Sequence, residues 1–487
     1  MAERQREQGF ERRMSDVEAL MWNVEKDPWL NPSGANVTIL DRPIDLQRFR
    51  RRMANAVAHV PRLREVVVPG LGRLSPPEWK LDPEFDLDYH LRHLALPPPG
   101  DRRQLLDLVS ILYQDPFDRT RPLWMFYVID GLERGHSALL FKLHHSLADG
   151  IGAMRLGELY MEAARRSPMP PEVDLDAVIN ESLEAAKVAA RSEDSLRAAT
   201  TRSVGHTWRR QLGVMRRAAG EVALWGADPE RARDTAEGVV RTVQKARGQL
   251  TGSEGSGVAG GSPLWKQRSR HRRLEMLRAP LDPARAASKA LGGSINDFFV
   301  TGAVMGALRY HAERDTAVDA LNLSFVVSTR QDKAIGGNSF TPTRFQAPGT
   351  DLTAEERFRD IRDRMAARRS EVSGGGMLSA VAGVANWLPT SVVTRVARSQ
   401  AGKMDFATSN LRGARTPLFI SGAKILENYP LGPVAGTAFN LTTISYNGSL
   451  DMGLFVDPKA VEDPAGLRQC LADAYAELLA AGGVVAD

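Results

Sequence analysis

Two adjacent histidines, His144 and His145, with Asp149 and Gly150 close behind, are the residues in this sequence best placed to do chemistry. They lie in the segment SALLFKLHHSLADGIG, residues 137–152. Residues 137–143 read as a buried strand, the Asp149-Gly150 pair as a turn, and residues 151–165 as a helix. At such a strand-to-helix connection one imidazole can face a cleft while its neighbour is buried. An imidazole titrates near neutral pH, which suits it to take a proton from a bound hydroxyl.

The bland reading is a pair of satisfied loop histidines. A metal site is a rival, since His145 and Asp149 stand four residues apart, but no further His or carboxylate cluster completes a coordination sphere. No metal is therefore expected. Covalent catalysis lacks a nucleophile. The sequence has no G-x-S-x-G elbow, and the single cysteine, Cys470, falls in an apparent tail helix with no histidine nearby. A phosphate-cradling G-x-x-x-x-G-K-[ST] loop is also missing. A histidine base acting directly on a bound hydroxyl is what remains.

The elements that must position this base can be read in outline. The chain of 487 residues exceeds one ordinary hydrophobic core, so two lobes are expected. Hydrophobic residues at 43% and charged residues at 25% exclude a mostly disordered chain. Lys+Arg 64 against Asp+Glu 59 leaves a mild net charge of +5, which permits contact with anionic surfaces without requiring it. Basic residues are dispersed, so no nucleic-acid partner is expected. A lone cysteine excludes a disulfide framework and favours the cytoplasm, and no stretch approaches the roughly 20 apolar residues of a membrane span.

Composition divides the chain into residues 1–169, 170–262 and 263–487. The first part mixes strand and helix and ends at the proline-rich SPMPPE. The second is rich in Ala, Arg and Glu, reads as helix, and closes in the linker TGSEGSGVAGGSP. Within it Val204, Trp208, Leu212, Met215, Ala219 and Val222 form one helical stripe, with Arg209, Arg210, Arg216 and Arg217 off it. That pattern fits a helix packed on its own protein, and also a basic helix resting on an anionic lipid surface. In the third part residues 294–311 read as a helix starting at Ser294 or Asn296. Residues 322–329 and 440–446 read as strands, and 463–481 as a final helix.

HHSLADG, residues 144–150, matches the HHxxxDG signature of acyl-CoA-dependent acyltransferases and peptide condensation domains. Further segments follow in order: FDLDYHLRHLALPPPG, DPFDRTRPLW with its PLW element (Pro122, Leu123, Trp124), Asn296-Asp297, and VVSTR with GGN. TPLFISGAKILENYPLGP and FNLTTISYNGSLDMGLFVD complete the series. Together they resemble the bacterial wax ester synthase/diacylglycerol acyltransferase family from Met14 onward. SNLRGA, residues 409–414, departs from that family's SNVPGP-like segment and reads as a turn in which Arg412 reshapes a binding wall. Met14-Ser15-Asp16 looks like the family's usual beginning, so residues 1–13 read as an extension or an upstream start.

The resemblance implies a mixed α/β protein of two chloramphenicol-acetyltransferase-like lobes, joined by a helical crossover, with a tunnel between them. It implies transfer of a long-chain acyl group from acyl-CoA to diacylglycerol or a fatty alcohol, with acyl-CoA as co-substrate and no other cofactor. His145 would be the general base and His144 the support of its loop. Asp149 would pair with an arginine, for which Arg330 is the candidate, and Gly150 would allow a close backbone approach. Pro122, Leu123 and Trp124 would start a core strand and border the acyl tunnel. Asn296 and Asp297 would cap a helix and shape the site. Peripheral contact with a membrane or lipid droplet fits such substrates. Other readings are an acyltransferase of the same superfamily acting on a secondary-metabolite hydroxyl or amine, and a non-catalytic lipid-surface protein.

Overall fold

The structure, a computed structural model, describes residues 11–70, 76–148, 150–192, 261–328, 340–372, 382, 385–386, 388–433 and 435–484. The first lobe is built on β1 (Ser33–Leu40), β4 (Leu91–Ala95), β5 (Trp124–Asp130), β6 (Ser137–His144), β7 (Met161–Glu162), β12 (Phe419–Ile420) and β13 (Ala423–Leu431). These pair in the order β4-β5-β6-β1-β13-β12-β7. The second lobe uses β8 (Arg273–Pro280), β9 (Ala320–Ser328), β10 (Phe340–Pro348), β11 (Phe406–Arg412), β14 (Phe439–Tyr446) and β15 (Ser449–Val456), in the order β10-β9-β11-β14-β15-β8. A separate hairpin joins β2 (Glu65–Val68) and β3 (Glu78–Leu81). Two α/β lobes are present, as expected.

The longer helices are α1 (Asp16–Val24), α2 (Leu46–His59), α3 (Arg102–Gln114), α4 (Gly150–Gly157), α5 (Leu175–Ser192), α6 (Leu281–Ala290), α7 (Ile295–Ala312), α8 (Ala354–Val372), α9 (Thr390–Ala401) and α10 (Pro464–Ala481). Helix α7 begins where its capping residues say it should. The Ser294 hydroxyl accepts from the Asp297 backbone N–H, and Asp297 Oδ2 accepts from the Ser294 N–H at 2.9 Å. Its glycines let α10 approach closely: a Cβ on Gly306 would stand 2.7 Å from Leu471 Cα.

β1 lies in the middle of the first sheet, antiparallel to β6 on one side and β13 on the other. One face of this strip, with Val37, Ile39 and Leu140, shares a core with Leu105 and Val109 of α3 and with Leu274 and Phe455 of the second sheet. The opposite face, with Leu40, Phe141 and Leu143, packs with Phe49 of α2 and with Tyr160. Polar links join the lobes as well. Arg103 on α3 reaches Glu275 on β8 of the second lobe at 2.9 Å, while its neighbour Arg102 grips Glu427 on β13, within the first lobe, with two bonds of 2.7 and 2.9 Å. The Glu427 carboxyl is pushed up by burial but held below the usual carboxylate range by Arg102, Tyr429 and Arg278.

Three expectations change. The helix after the histidines stops at Gly157 rather than running to 165. Tyr160 is drawn into the aromatic core against Phe126, and Glu162 is tied to Arg48 and Arg52, so the chain turns and adds β7 beside β12. SNLRGA is no turn over 409–412, because those residues complete β11, paired in parallel with β14 as far as Arg412↔Ser445. The linker ends in an anchor: Ser262 is buried, its N–H donating to Asp405 Oδ1 at 2.9 Å. β12 and β13 come from the last part of the sequence yet complete the first lobe's sheet. The stripe 204–222 and its arginines lie outside the described residues, as do Asp149 and Arg330.

Candidate active site

β6 delivers the two histidines to different surroundings. From Ser137 to Ala148 every residue is buried except His145. Its backbone N–H donates to Pro32 O at 3.3 Å, fixing the turn against the start of β1. The ring lies over Gly34, where a Cβ would stand 2.8 Å from His145 Cε1. Gly34 is therefore required by the ring, and any side chain there would displace it. The ring's Nδ1 is shielded from solvent.

His144 is fully buried. Its Nδ1 accepts the Ser146 backbone N–H at 3.0 Å and lies 2.6 Å from Ser146 Oγ. Accepting there places the ring proton on Nε2, which faces Glu25 Oε2 at 3.5 Å. The rings of Trp22 and Phe117 meet His144 edge-on. Burial works to raise the Glu25 carboxyl, but the contact with His144 and the charges of Arg119 and Lys142 hold it below its ordinary value. Glu25 thus stays an anion behind the first histidine, and Ser146 carries the constraint across the turn that presents the second.

Lys142 supports the same turn. It is buried, and its ammonium donates to the Leu112 carbonyl at 3.0 Å and to the Asp115 carbonyl, at the C-terminal end of α3. Burial brings its pKa down to about 8. His144 N–H donates to Leu123 O at 3.0 Å, linking the site to the strand that follows.

The other residues singled out from the sequence take these places. Pro122, Leu123 and Trp124 enter the core at the start of β5. The Trp124 indole donates to Leu63 O at 2.8 Å and stacks on His90 at 4.3 Å. His90 is held neutral, burial taking its pKa down to about 4. Gly150 opens α4. Asn296, on the first turn of α7, accepts from Asn410 Nδ2 of β11 at 3.1 Å. Asp297 is buried in its capping box and receives Arg369 at 3.1 Å. The pair lies on the second lobe, where Asp297 both caps α7 and holds Arg369. The residue brought unexpectedly to the histidines is Glu25, remote in sequence and without any motif of its own. Among the described residues no group of three or more His, Cys, Asp or Glu could hold a metal ion, and no helix is long and apolar enough to cross a membrane.

Known proteins resemble this chain over nearly its whole length. The wax ester synthase/diacylglycerol acyltransferase catalytic domain matches residues 14–299, and the corresponding C-terminal domain matches residues 337–479. A putative diacylglycerol O-acyltransferase of Mycobacterium tuberculosis H37Rv is 31% identical, the alignment covering 98% of this chain and 94% of that protein. A probable diacylglycerol O-acyltransferase, Tgs4, of the same organism is 28% identical over 82% of each. Among solved structures, the wax ester synthase/diacylglycerol acyltransferase of Marinobacter aquaeolei VT8 superposes with a TM-score of 0.59 at 21% identity, covering 93% of this chain and 95% of that one. The first condensation domain of the calcium-dependent antibiotic synthetase shares the fold at TM-score 0.56 and 13% identity, covering 96% of each chain. The chain belongs to the wax ester synthase/diacylglycerol acyltransferase family.

Proposed function

We propose that this protein transfers a long-chain acyl group from acyl-CoA to the hydroxyl of diacylglycerol or a fatty alcohol, with His145 as general base. The observation that carries this reading is the contrast along β6: His145 alone opens to solvent, over a glycine in the central strand, while its neighbours are buried. His145 Nε2 takes the proton as the acceptor oxygen attacks the thioester carbonyl. The C–O bond forms, the C–S bond breaks, and the imidazolium returns the proton to the departing thiolate. Proton transfer of this kind contributes about 10²–10⁴-fold, and orientation and oxyanion stabilisation supply the rest.

In this reading His144, through Glu25 and Ser146, sets the position of the turn. Asp149 and Arg330 are assigned to loop support and Gly150 to the entry of α4. Asn296 shapes the second lobe's side of the tunnel from the N-terminal turn of α7, where Asn410 holds its amide. Neither metal nor cofactor takes part, and the protein meets its acceptor from the cytoplasm at a membrane or lipid-droplet surface. Purified full-length protein with palmitoyl-CoA should release thiol only when dioleoylglycerol or hexadecanol is added. Release unaffected by His145→Ala, or surviving without any acceptor, would remove the proposal; activity abolished by chelation would restore the metal alternative.

A further inference from the structure

β1 carries a second anomaly beside Gly34. Although the strand is flanked on both sides, every residue from Ser33 to Leu40 is buried except Asn36. Side chains alternate across a strand, so Asn36 shares the face of Gly34, on which the His145 ring lies, and stands roughly 7 Å further along. Solvent thus reaches the middle of a central strand at two places on one face, each beside the other. Apolar side chains flank it on that face, with Phe141 opposite Asn36 and Leu139 opposite Thr38.

Asn36 is not alone there. Its Nδ2 donates to Thr38 Oγ1 at 3.0 Å and to Asn428 Oδ1 of β13 at 2.5 Å. The Thr38 hydroxyl donates to the same Asn428 oxygen at 3.2 Å. This network orients both amides and uses both N–H groups of Asn36. It leaves the Asn36 Oδ1 acceptor and the Asn428 Nδ2 donors without a hydrogen-bond partner among the described residues. Neither atom is sealed from solvent, and a bound carbonyl oxygen can pair with the Asn428 Nδ2 donor in place of water.

Building on the acyltransfer reading of His145, we propose that Asn36, Thr38 and Asn428 form an acceptor subsite for the ester groups of a glyceride. Asn428 Nδ2 donates to an ester carbonyl oxygen while the free hydroxyl of the same molecule meets His145. In 1,2-diacylglycerol that carbonyl oxygen lies a few bonds from the hydroxyl, roughly 5 Å, which side chains reaching from Asn36 and Asn428 can accommodate. A straight-chain alcohol has no such oxygen and makes no bond to Asn428 Nδ2, so the trio favours diacylglycerol. A site built to bond a polar group rejects analogues lacking it.

The test compares acceptors in the full-length protein at saturating palmitoyl-CoA. Asn428→Leu and Asn36→Leu should lower kcat/KM for dioleoylglycerol by about 10–100-fold while hexadecanol changes by less than about threefold. Thr38→Val, which keeps the side-chain shape and removes the hydroxyl's bonds to Asn36 and Asn428, should shift the acceptor ratio several-fold in the same direction. Parallel loss with both acceptors in variants that melt like the wild type would overturn the subsite and assign the trio to the acyl-CoA side. An unchanged ratio in folded Thr38→Val and Asn36→Leu would overturn it as well. A wild type inactive on every alcohol would sink the acyltransfer reading itself, a result distinct from either.

Discussion

Each lobe holds a buried histidine beside a serine hydroxyl at 2.6 Å, His144 with Ser146 in the first and His311 with Ser262 in the second. The two pairs are wired in opposite senses. His144 accepts at Nδ1 and turns Nε2 toward the buried Glu25 carboxylate. His311 donates from Nδ1 to the Ala307 carbonyl of its own helix, at 2.7 Å, and accepts the Ser262 hydroxyl at Nε2. Ser262 in turn anchors a chain segment to Asp405, and Trp265 covers the ring. The second pair closes a helix end; the first braces a turn whose next residue faces solvent. A histidine–hydroxyl contact alone therefore does not distinguish the two lobes, whereas the partly exposed residue beside it does.

The largest effect that separates the two lobes is expected at His145. His145→Ala should reduce acyl transfer by about 10²–10⁴-fold without a change in melting temperature. Glu25→Ala should follow, lowering kcat by roughly 10–100-fold by leaving His144 without its carboxylate. Glu25→Gln, which keeps an acceptor facing Nε2, should recover part of that loss. Equal turnover for Glu25→Ala and wild type would dissolve the contrast with His311.

Acidification probes both lobes together. His90 in the first lobe and His311 in the second are held neutral by burial, their pKa values lowered from 6.5. A lowered folded value means that stability is full above pH 6.5 and is lost as pH falls. For His90 the loss runs from 6.5 to about 4 and amounts to about 3 kcal/mol. Thermal melts across that range should show it. His90→Phe, which keeps the stack on Trp124 without a titrating ring, should flatten the curve.

His311→Gln should cost stability of about 1–3 kcal/mol yet leave kcat per folded molecule unchanged. A turnover defect as large as that of Glu25→Ala would give the second pair a role in the reaction. The smallest effect is expected for Arg102→Ala. Its guanidinium is half-exposed, so the bidentate bond to Glu427 is screened and its loss should shift stability by no more than about 1 kcal/mol.

Local order was readable where chemistry is local. Ser294 and Asp297 are three apart and form a reciprocal cap, so the start of α7 follows from the sequence. β6 and HHSLADG are likewise contiguous. Pairings across long separations left no trace. Glu25 meets His144 only because α1 packs beside β6, and nothing in LMWNVEKDPW marks it. Gly34 reads as any strand glycine until the ring above it is placed. The overlong helix at 151–165 failed because Tyr160 and Glu162 answer to partners on α2 and β5, whose pull no periodicity encodes.

β13 has a consequence for how the protein comes into being. During synthesis β1 emerges early, yet the strand that covers its second edge leaves the ribosome only after residue 423. For most of translation β1 exposes a row of unpaired amides and carbonyls, the kind of edge that recruits other chains. A polypeptide released before residue 423 would keep that edge open and should aggregate, even though the HHSLADG motif is already present. The central sheet that carries the histidine turn is therefore closed only when the last strands of the sequence have been made.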